Sequence, residues 1–78
     1  MLTLDPVLDL TKADSLKRQL LEGDGVLDAA AVQRITTPCL ALLVAAVAGG
    51  ARFVAASDAL KDAARTLGLT DALGLADV

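Results

Sequence analysis

The chain has 78 residues, of which 55% are apolar and a single one is aromatic, and its net charge at pH 7 is −3. A chain of this size forms one domain that buries roughly 60–65% of its unfolded surface, so small aliphatic side chains must pack closely. This hydrophobicity argues against a disordered chain. The seven basic residues are scattered, and the stacking aromatics of nucleic-acid-binding proteins are missing. The composition therefore predicts a single domain over residues 1–78, with no nucleic-acid partner.

The sequence contains no stretch that is long enough and apolar enough to predict a membrane span. The longest segment without a charged residue, Ile35 to Ala51, contains ten consecutive strictly apolar residues, Cys39 to Ala48. A transmembrane helix needs about 20 such residues, and the N-terminus lacks the basic-then-apolar pattern of a signal peptide. We therefore expect no membrane insertion, a buried helix in this segment and a cytoplasmic protein.

The first third of the chain predicts two short strands and a helix. The strands are Leu2–Leu4 and Val7–Leu10, separated by the turn-forming pair Asp5-Pro6. Thr11 is predicted to cap the helix, and the glycines of residues 23–25 end it. The predicted apolar face of this helix consists of Ala13, Leu16, Leu20 and Leu21.

The middle of the chain predicts a strand, a loop and an apolar helix. The strand is Val26–Asp28, and Ala29–Gln33 is predicted to form the loop that leaves it. Thr37 followed by Pro38 is typical of a helix start, with threonine as the N-cap and proline at the first helical position. The residues Cys39–Ala48 are apolar on every side, so we expect this helix to be largely covered.

The last third predicts one more strand and two helices. Arg52–Ala55 is the strand, Ser57 caps the following helix, and Gly68 ends that helix. Thr70 is predicted to cap a final short turn, Asp71–Leu73. The order ββαβαβα plus a short C-terminal helix predicts an α/β fold in which crossover connections join parallel strands and helices cover the sheet.

The sequence argues against an enzyme. It contains no histidine, the commonest general base and metal ligand, and its single cysteine, Cys39, is expected to fill a small packed position. No glycine-rich phosphate loop is present. Asp9 and Asp28 lie near predicted strand ends and are candidates for a carboxylate pair, although surface or capping roles are favoured. We therefore expect no enzymatic activity, no cofactor and no metal, and interpret the chain as a surface for another protein.

Three stretches, in order, resemble the STAS domain, the fold of bacterial anti-sigma-factor antagonists. Val7–Leu16 resembles the family pattern G-x-L-D-x-x-x-A-x-x-L at the first helix. Val26–Leu43 is similar to V-L-D-L-S-x-V-x-x-I-D-S-S-G-L-x-x-L, and Leu67–Leu73 to the closing L-G-L-x-D-x-L. The resemblance covers nearly the whole chain and implies a single STAS-like domain with a mixed sheet.

The resemblance also implies a functional surface. The family's phosphoacceptor serine corresponds to Thr37, and the partner-binding surface would include Asp28, Thr36, Thr37 and Pro38. A phosphate at a helix N-terminus adds about −1.5 to −2 charges to such a surface and would repel a partner fitted to a neutral side chain. This chain departs from the pattern at Thr36, where the family carries aspartate, at Pro38 in place of serine, and at Cys39 in place of glycine.

Two functions follow from the resemblance. The first is a regulatory protein-binding module whose partner is an anti-sigma kinase or a chemotaxis or two-component protein, with Thr37 as the candidate phosphoacceptor. The second is a constitutive subunit of a lipid transport assembly that docks on the transporter ATPase. The small STAS subunit of the Mla phospholipid transporter is similar in this respect, since it has threonine at the position of Thr37 and a G-L-A-L-L run that Leu40–Leu43 resembles. A nucleotide- or lipid-binding module is a third, less favoured interpretation.

Overall fold

The computed structural model describes residues 1–76 and shows an α/β fold in which strands and helices alternate along the chain. Residues 77 and 78 of the predicted domain range lie outside the described residues. A short 3-10 helix, Leu10–Lys12, leads into the first α-helix. The strands are β1 (Leu2–Thr3), β2 (Val7–Leu8), β3 (Val26–Ala29), β4 (Arg34–Ile35) and β5 (Arg52–Ala56). The α-helices are α1 (Ala13–Glu22), α2 (Thr37–Ala48), α3 (Asp58–Thr66) and α4 (Thr70–Leu73).

The strands within residues 1–76 form two small sheets, and every pairing in them is parallel. One sheet has the order β1-β3-β5, and the other consists of β2 and β4. The mixed sheet that the resemblance implied is therefore wrong for this part of the chain. Parallel strands need a crossover connection, and α1 separates β1 from β3 while α2 separates β3 from β5. The predicted crossovers between parallel strands are confirmed.

The two predicted N-terminal strands are shorter than expected and pair with different partners. Leu2 lies opposite Leu27 in one sheet, whereas Leu8 lies opposite Ile35 in the other. The pair Asp5-Pro6 interrupts the strand between them, and the Pro6 carbonyl oxygen accepts hydrogen bonds from the N–H groups of Gln33 and Arg34. These bonds help to form β4, a strand that the sequence pattern did not predict.

Two helix caps show how local hydrogen bonds define the helix starts. The predicted cap Thr11 is wrong, because the Asp9 side chain accepts hydrogen bonds from the N–H and the hydroxyl of Thr11 and so caps the 3-10 helix instead. The predicted cap Ser57 is confirmed: its hydroxyl oxygen accepts the N–H of Leu60 at 3.1 Å. Asp9 forms the cap because its carboxylate, two residues before Thr11, accepts the hydrogen bond of the Thr11 N–H.

The core is entirely apolar among the described residues, and no charged or polar residue is buried there. Helix α1 packs against α2, and α4 packs against α2 and α3. The prediction that Leu21 lies on the buried face of α1 is wrong, because its side chain is 77% exposed. The core residues are Leu4, Leu8, Leu16, Leu27, Ala29, Val32, Cys39, Leu40, Leu43, Phe53, Leu60, Ala64, Leu73 and Leu75.

Helix α2 is less covered than its apolar sequence predicts. Cys39, Leu40 and Leu43 are buried, but one stripe of the helix faces solvent. That stripe carries small side chains, whose exposure leaves little apolar surface in water. The exposed residues of the helix are Thr37, Pro38, Ala41, Ala45 and Ala48.

The Leu43 side chain is fully buried, so we expect Leu43→Ala to lower the free energy of unfolding by about 2–5 kcal/mol through lost contacts and the cavity left behind. Leu10, which is 68% exposed, is the matched control. Leu10→Ala is expected to stay within about 0.5 kcal/mol of the parent chain. Urea denaturation followed by circular dichroism measures both, and equal effects would contradict the described core.

The cap of α3 is tested by an alanine substitution at Ser57, with the exposed Ser15 as the control position. Ser57→Ala removes the acceptor of the Leu60 N–H and is expected to cost about 1 kcal/mol of stability. Ser15 is exposed within α1, and Ser15→Ala is expected to leave stability unchanged or raise it slightly, because alanine has the higher helix propensity. A neutral Ser57→Ala in thermal denaturation would show that the cap does not form.

Candidate partner-binding surface at the start of α2

Thr36 is the residue at which β4 ends and α2 begins. Its N–H donates to the Leu8 carbonyl oxygen at 3.0 Å and continues the β2–β4 pairing. Its own carbonyl oxygen accepts the N–H of Leu40 at 3.0 Å, which is the first hydrogen bond of the helix. With φ −92° and ψ 159°, Thr36 has the extended backbone of an N-cap residue. The prediction that Thr37 is the cap is therefore wrong by one position, because the strand pairing extends through Thr36.

The Thr36 side chain holds the helix start against the neighbouring strand and does not cap the helix. Its hydroxyl donates to the Leu8 carbonyl oxygen at 3.3 Å, the same oxygen that accepts the Thr36 N–H. Among the residues that the structure describes, the Thr36 side chain makes no hydrogen bond that caps α2. The first turn of any helix contains backbone N–H groups that have no helical acceptor. In α2 these groups lie next to Thr37, and the Thr36 side chain does not accept from them.

Thr37 and Pro38 occupy the first two positions of α2, and both are exposed. Proline is tolerated here because it lacks an N–H that the first turn leaves without a helical partner. The same lack removes one of the donors that a phosphate on Thr37 would use. These two residues present a neutral, compact surface on a helix end whose next residue, Cys39, is buried.

Cys39 holds the first turn of α2 against the core. It is fully buried, as the sequence predicted, and its thiol donates to the carbonyl oxygen of Asp9 at 3.4 Å. Asp9 is itself held by Thr11, and the hydrogen bond from the Thr11 hydroxyl holds the pKa of the Asp9 carboxyl below its usual value. The start of α2 is therefore tied to Leu8, the last residue of β2, and to Asp9, the residue after it.

Asp28, the fourth residue of the predicted surface, lies in β3 and belongs to the other sheet. Its carboxylate accepts the N–H of Ala30 at 3.0 Å, and its backbone lies opposite Thr3 and Ala55. The hydrogen bonds of Thr36 lead instead to β2. The structure thus brings Thr36, Thr37 and Pro38 together and shows no hydrogen bond between them and Asp28.

Asp9 and Asp28 each bond to the backbone two residues further along the chain, at Thr11 and at Ala30. Such bonds are typical of capping and turn roles, in line with the roles expected from the sequence. Residues 1–76 contain no group of three or more His, Cys, Asp or Glu side chains placed to hold a metal ion. None of the helices in these residues has both the length and the apolarity for crossing a membrane.

Sequence reasoning missed the residues that position this surface. The carbonyl groups of Leu8 and Asp9 belong to the backbone, so their side chains give no signal of the contact. The one available signal is the apolar pair Val7-Leu8 beside a polar Asp9, which predicts a buried strand end but not its partner.

Comparisons with protein-family models, with curated proteins and with solved structures gave no match for this chain.

The burial of Cys39 predicts slow reaction with thiol reagents. In the native chain a maleimide is expected to label Cys39 at least about 100-fold more slowly than an exposed cysteine, because labelling requires local opening. A chain with Cys39→Ala and Ala48→Cys supplies that exposed cysteine, since Ala48 faces solvent on the same helix. The two rates should become similar in urea. Equal rates under native conditions would contradict the anchored first turn.

Proposed function

We propose that this chain is a non-enzymatic protein-binding module of the STAS type, and that its partner contacts Thr36, Thr37, Pro38 and the exposed Ala41 one turn further along α2. The observation that carries the proposal is the contrast within one helix turn. Thr37 and Pro38 are exposed, while Thr36 and Cys39 on either side are hydrogen-bonded to the carbonyl groups of Leu8 and Asp9. A surface held in this way needs little ordering when a partner binds, which favours affinity.

The Cys39 thiol and the carboxylates of Asp9 and Asp28 have structural roles. Cys39 is buried and donates to a backbone carbonyl, and the carboxylates of Asp9 and Asp28 bond to nearby backbone N–H groups. The chain has no histidine. The commonest general base is thus missing, which supports binding over catalysis.

Phosphorylation of Thr37 is the proposed regulation of this surface. The residue is exposed at the end of a helix, where a kinase can reach it and a partner would cover it. A phosphate adds about −1.5 to −2 charges, which a partner shaped for a neutral threonine would have to desolvate. The fold itself need not change for binding to be lost.

The second candidate is a constitutive subunit that docks on a transporter ATPase through the same surface. Pro38 is the observation that favours it, because the missing N–H leaves fewer donors for a phosphate on Thr37. Thr36 in place of the family's aspartate points in the same direction. In this case the surface functions without modification.

The test uses tagged chains recovered from the native cells, with partners identified by mass spectrometry and the binding then measured with purified components. Thr37→Glu is expected to weaken binding of the identified partner at least about tenfold, because it places a charge in the interface. Ser15→Glu, an exposed change on α1, is the matched control and should bind normally. Normal binding by both Thr37→Glu and Thr37→Arg would show that the surface is assigned wrongly.

The same preparation separates the two candidate functions. An added phosphate that maps to Thr37, together with an anti-sigma kinase or a chemotaxis or two-component protein as companion, supports the regulated module. A transporter ATPase as companion, with no added phosphate mass on the intact chain, supports the constitutive subunit.

A further inference from the structure

A groove lies between α1 and α2, where the C-terminal part of α2 ends. Its volume is about 520 Å³. The floor contains the half-buried Leu20, Leu42 and Ala46, and the exposed Ala45 and Gly49 form part of its wall. Small residues at these last positions leave room for a side chain from outside. The groove is therefore a hole of the kind that a bulky aliphatic group fills.

Leu21 is a bulky aliphatic group at the edge of the same groove. It is 77% exposed, the most exposed of the large apolar side chains within residues 1–76. Burying such a side chain is favourable in proportion to the apolar area that leaves water. The surface thus carries a protruding leucine and a hole for a leucine side by side.

Opposite charges flank the leucine pair of α1. Lys17 lies in α1 three residues before Leu20, and Asp24 lies three residues after Leu21 in the turn that follows α1, where its carboxylate also accepts the Met1 ammonium at 2.8 Å. Both charged residues line the groove and are exposed. If two α1 helices met in antiparallel orientation about the Leu20-Leu21 pair, each lysine would face the aspartate of the other chain.

An interface between two copies related by a two-fold axis must be self-complementary, because the same patch faces itself. This patch is self-complementary in shape, because Leu21 of one copy fits the hole at Ala45 and Gly49 of the other. It is also self-complementary in charge, because Lys17 of one copy attracts Asp24 of the other. We propose that a second copy of this chain occupies the groove, forming a two-fold dimer in which the α1 helices run antiparallel and each Leu21 enters the groove of the other copy. A different protein that bound here would need only groups that match this patch, and this chain would not have to carry both a leucine and a hole for one.

The proposed dimer goes beyond the proposed function, because it concerns the opposite end of α2. The helix has 12 residues and is about 18 Å long, so Thr37 lies well away from Gly49. A dimer then carries two copies of the Thr36–Pro38 surface and would bind a divalent partner with higher avidity than one copy.

The full chain is tested by sedimentation equilibrium or light scattering from about 1 μM to about 1 mM, the range expected for a small interface. We expect a monomer–dimer equilibrium. Leu21→Glu places a charge in the hole and should raise the dissociation constant at least about tenfold, whereas Leu67→Ala, at another exposed leucine on α3's end, should leave it unchanged. Leu21 is exposed, so its variant is expected to fold as the parent chain does.

Charge reversal tests the orientation. Lys17→Glu alone and Asp24→Lys alone each place like charges at both contacts and should weaken the dimer. An equimolar mixture of the two variants restores opposite charges at both contacts of a mixed dimer and should recover dimerisation, as should the chain that carries both changes. Lys61→Glu on α3 is the control. Thermal denaturation checks folding, because Asp24 also accepts the Val26 N–H.

A chain that remains monomeric at every concentration overturns the proposal. So does a dimer that is insensitive to Leu21→Glu, or one in which mixing the two charge variants restores nothing. None of these outcomes bears on the Thr37 surface, because Thr37→Glu leaves the groove unchanged. Conversely, loss of partner binding in Thr37→Glu with an intact dimer leaves the present proposal standing.

Discussion

The two hydrogen bonds from Thr36 to the carbonyl oxygen of Leu8 position the central helix, and much of the fold depends on them. They join a strand from the start of the chain to the residue at which α2 begins. The Cys39 thiol adds a third contact, to the carbonyl oxygen of Asp9. Because α2 packs against both α1 and α4, the orientation fixed at its first turn is passed on to the other helices.

The core imposes the second constraint. Within residues 1–76 it contains leucine, alanine, valine, one cysteine and one phenylalanine, and no buried polar group. A small apolar core of this kind gains its stability from close packing and from burial alone. A chain of 78 residues has too few elements to cover every apolar face. The exposed stripe of α2 and the groove beside Leu21 are the faces left open, and both proposed interactions use them.

Several elements were predictable from the residues because their causes are local. Ser57 caps α3 through a hydrogen bond to an N–H three residues away, and the glycines after α1, α2 and α3 end those helices. The burial of Cys39 and of Leu43 followed from an apolar run that is too short to span a membrane. The candidate surface was partly predictable for the same reason, since Thr36, Thr37 and Pro38 are consecutive.

The errors arose where two local signals competed or where a distant segment decided. Thr11 and Asp9 are both good cap residues, and the carboxylate reaches the free N–H groups. Leu20 and Leu21 are adjacent on a helix, so they point in directions about 100° apart, and only Leu20 turns towards the core. The inclusion of Asp28 in the partner-binding surface, which came from its place in a motif, stays a prediction.

The α/β alternation, the apolar central helix and the Ser57 cap could be read from the residues, because periodicity and capping act over a few residues. Contacts between distant segments set the rest: the two parallel sheets within residues 1–76, the presence of β4, and the start of α2 at Thr36 rather than Thr37. Strand β4 and the start of α2 depend on the backbone carbonyls of Pro6 and Leu8, each of which accepts an N–H more than twenty residues away. Backbone groups are the same in every residue apart from proline, so no side-chain pattern specifies which of them will pair.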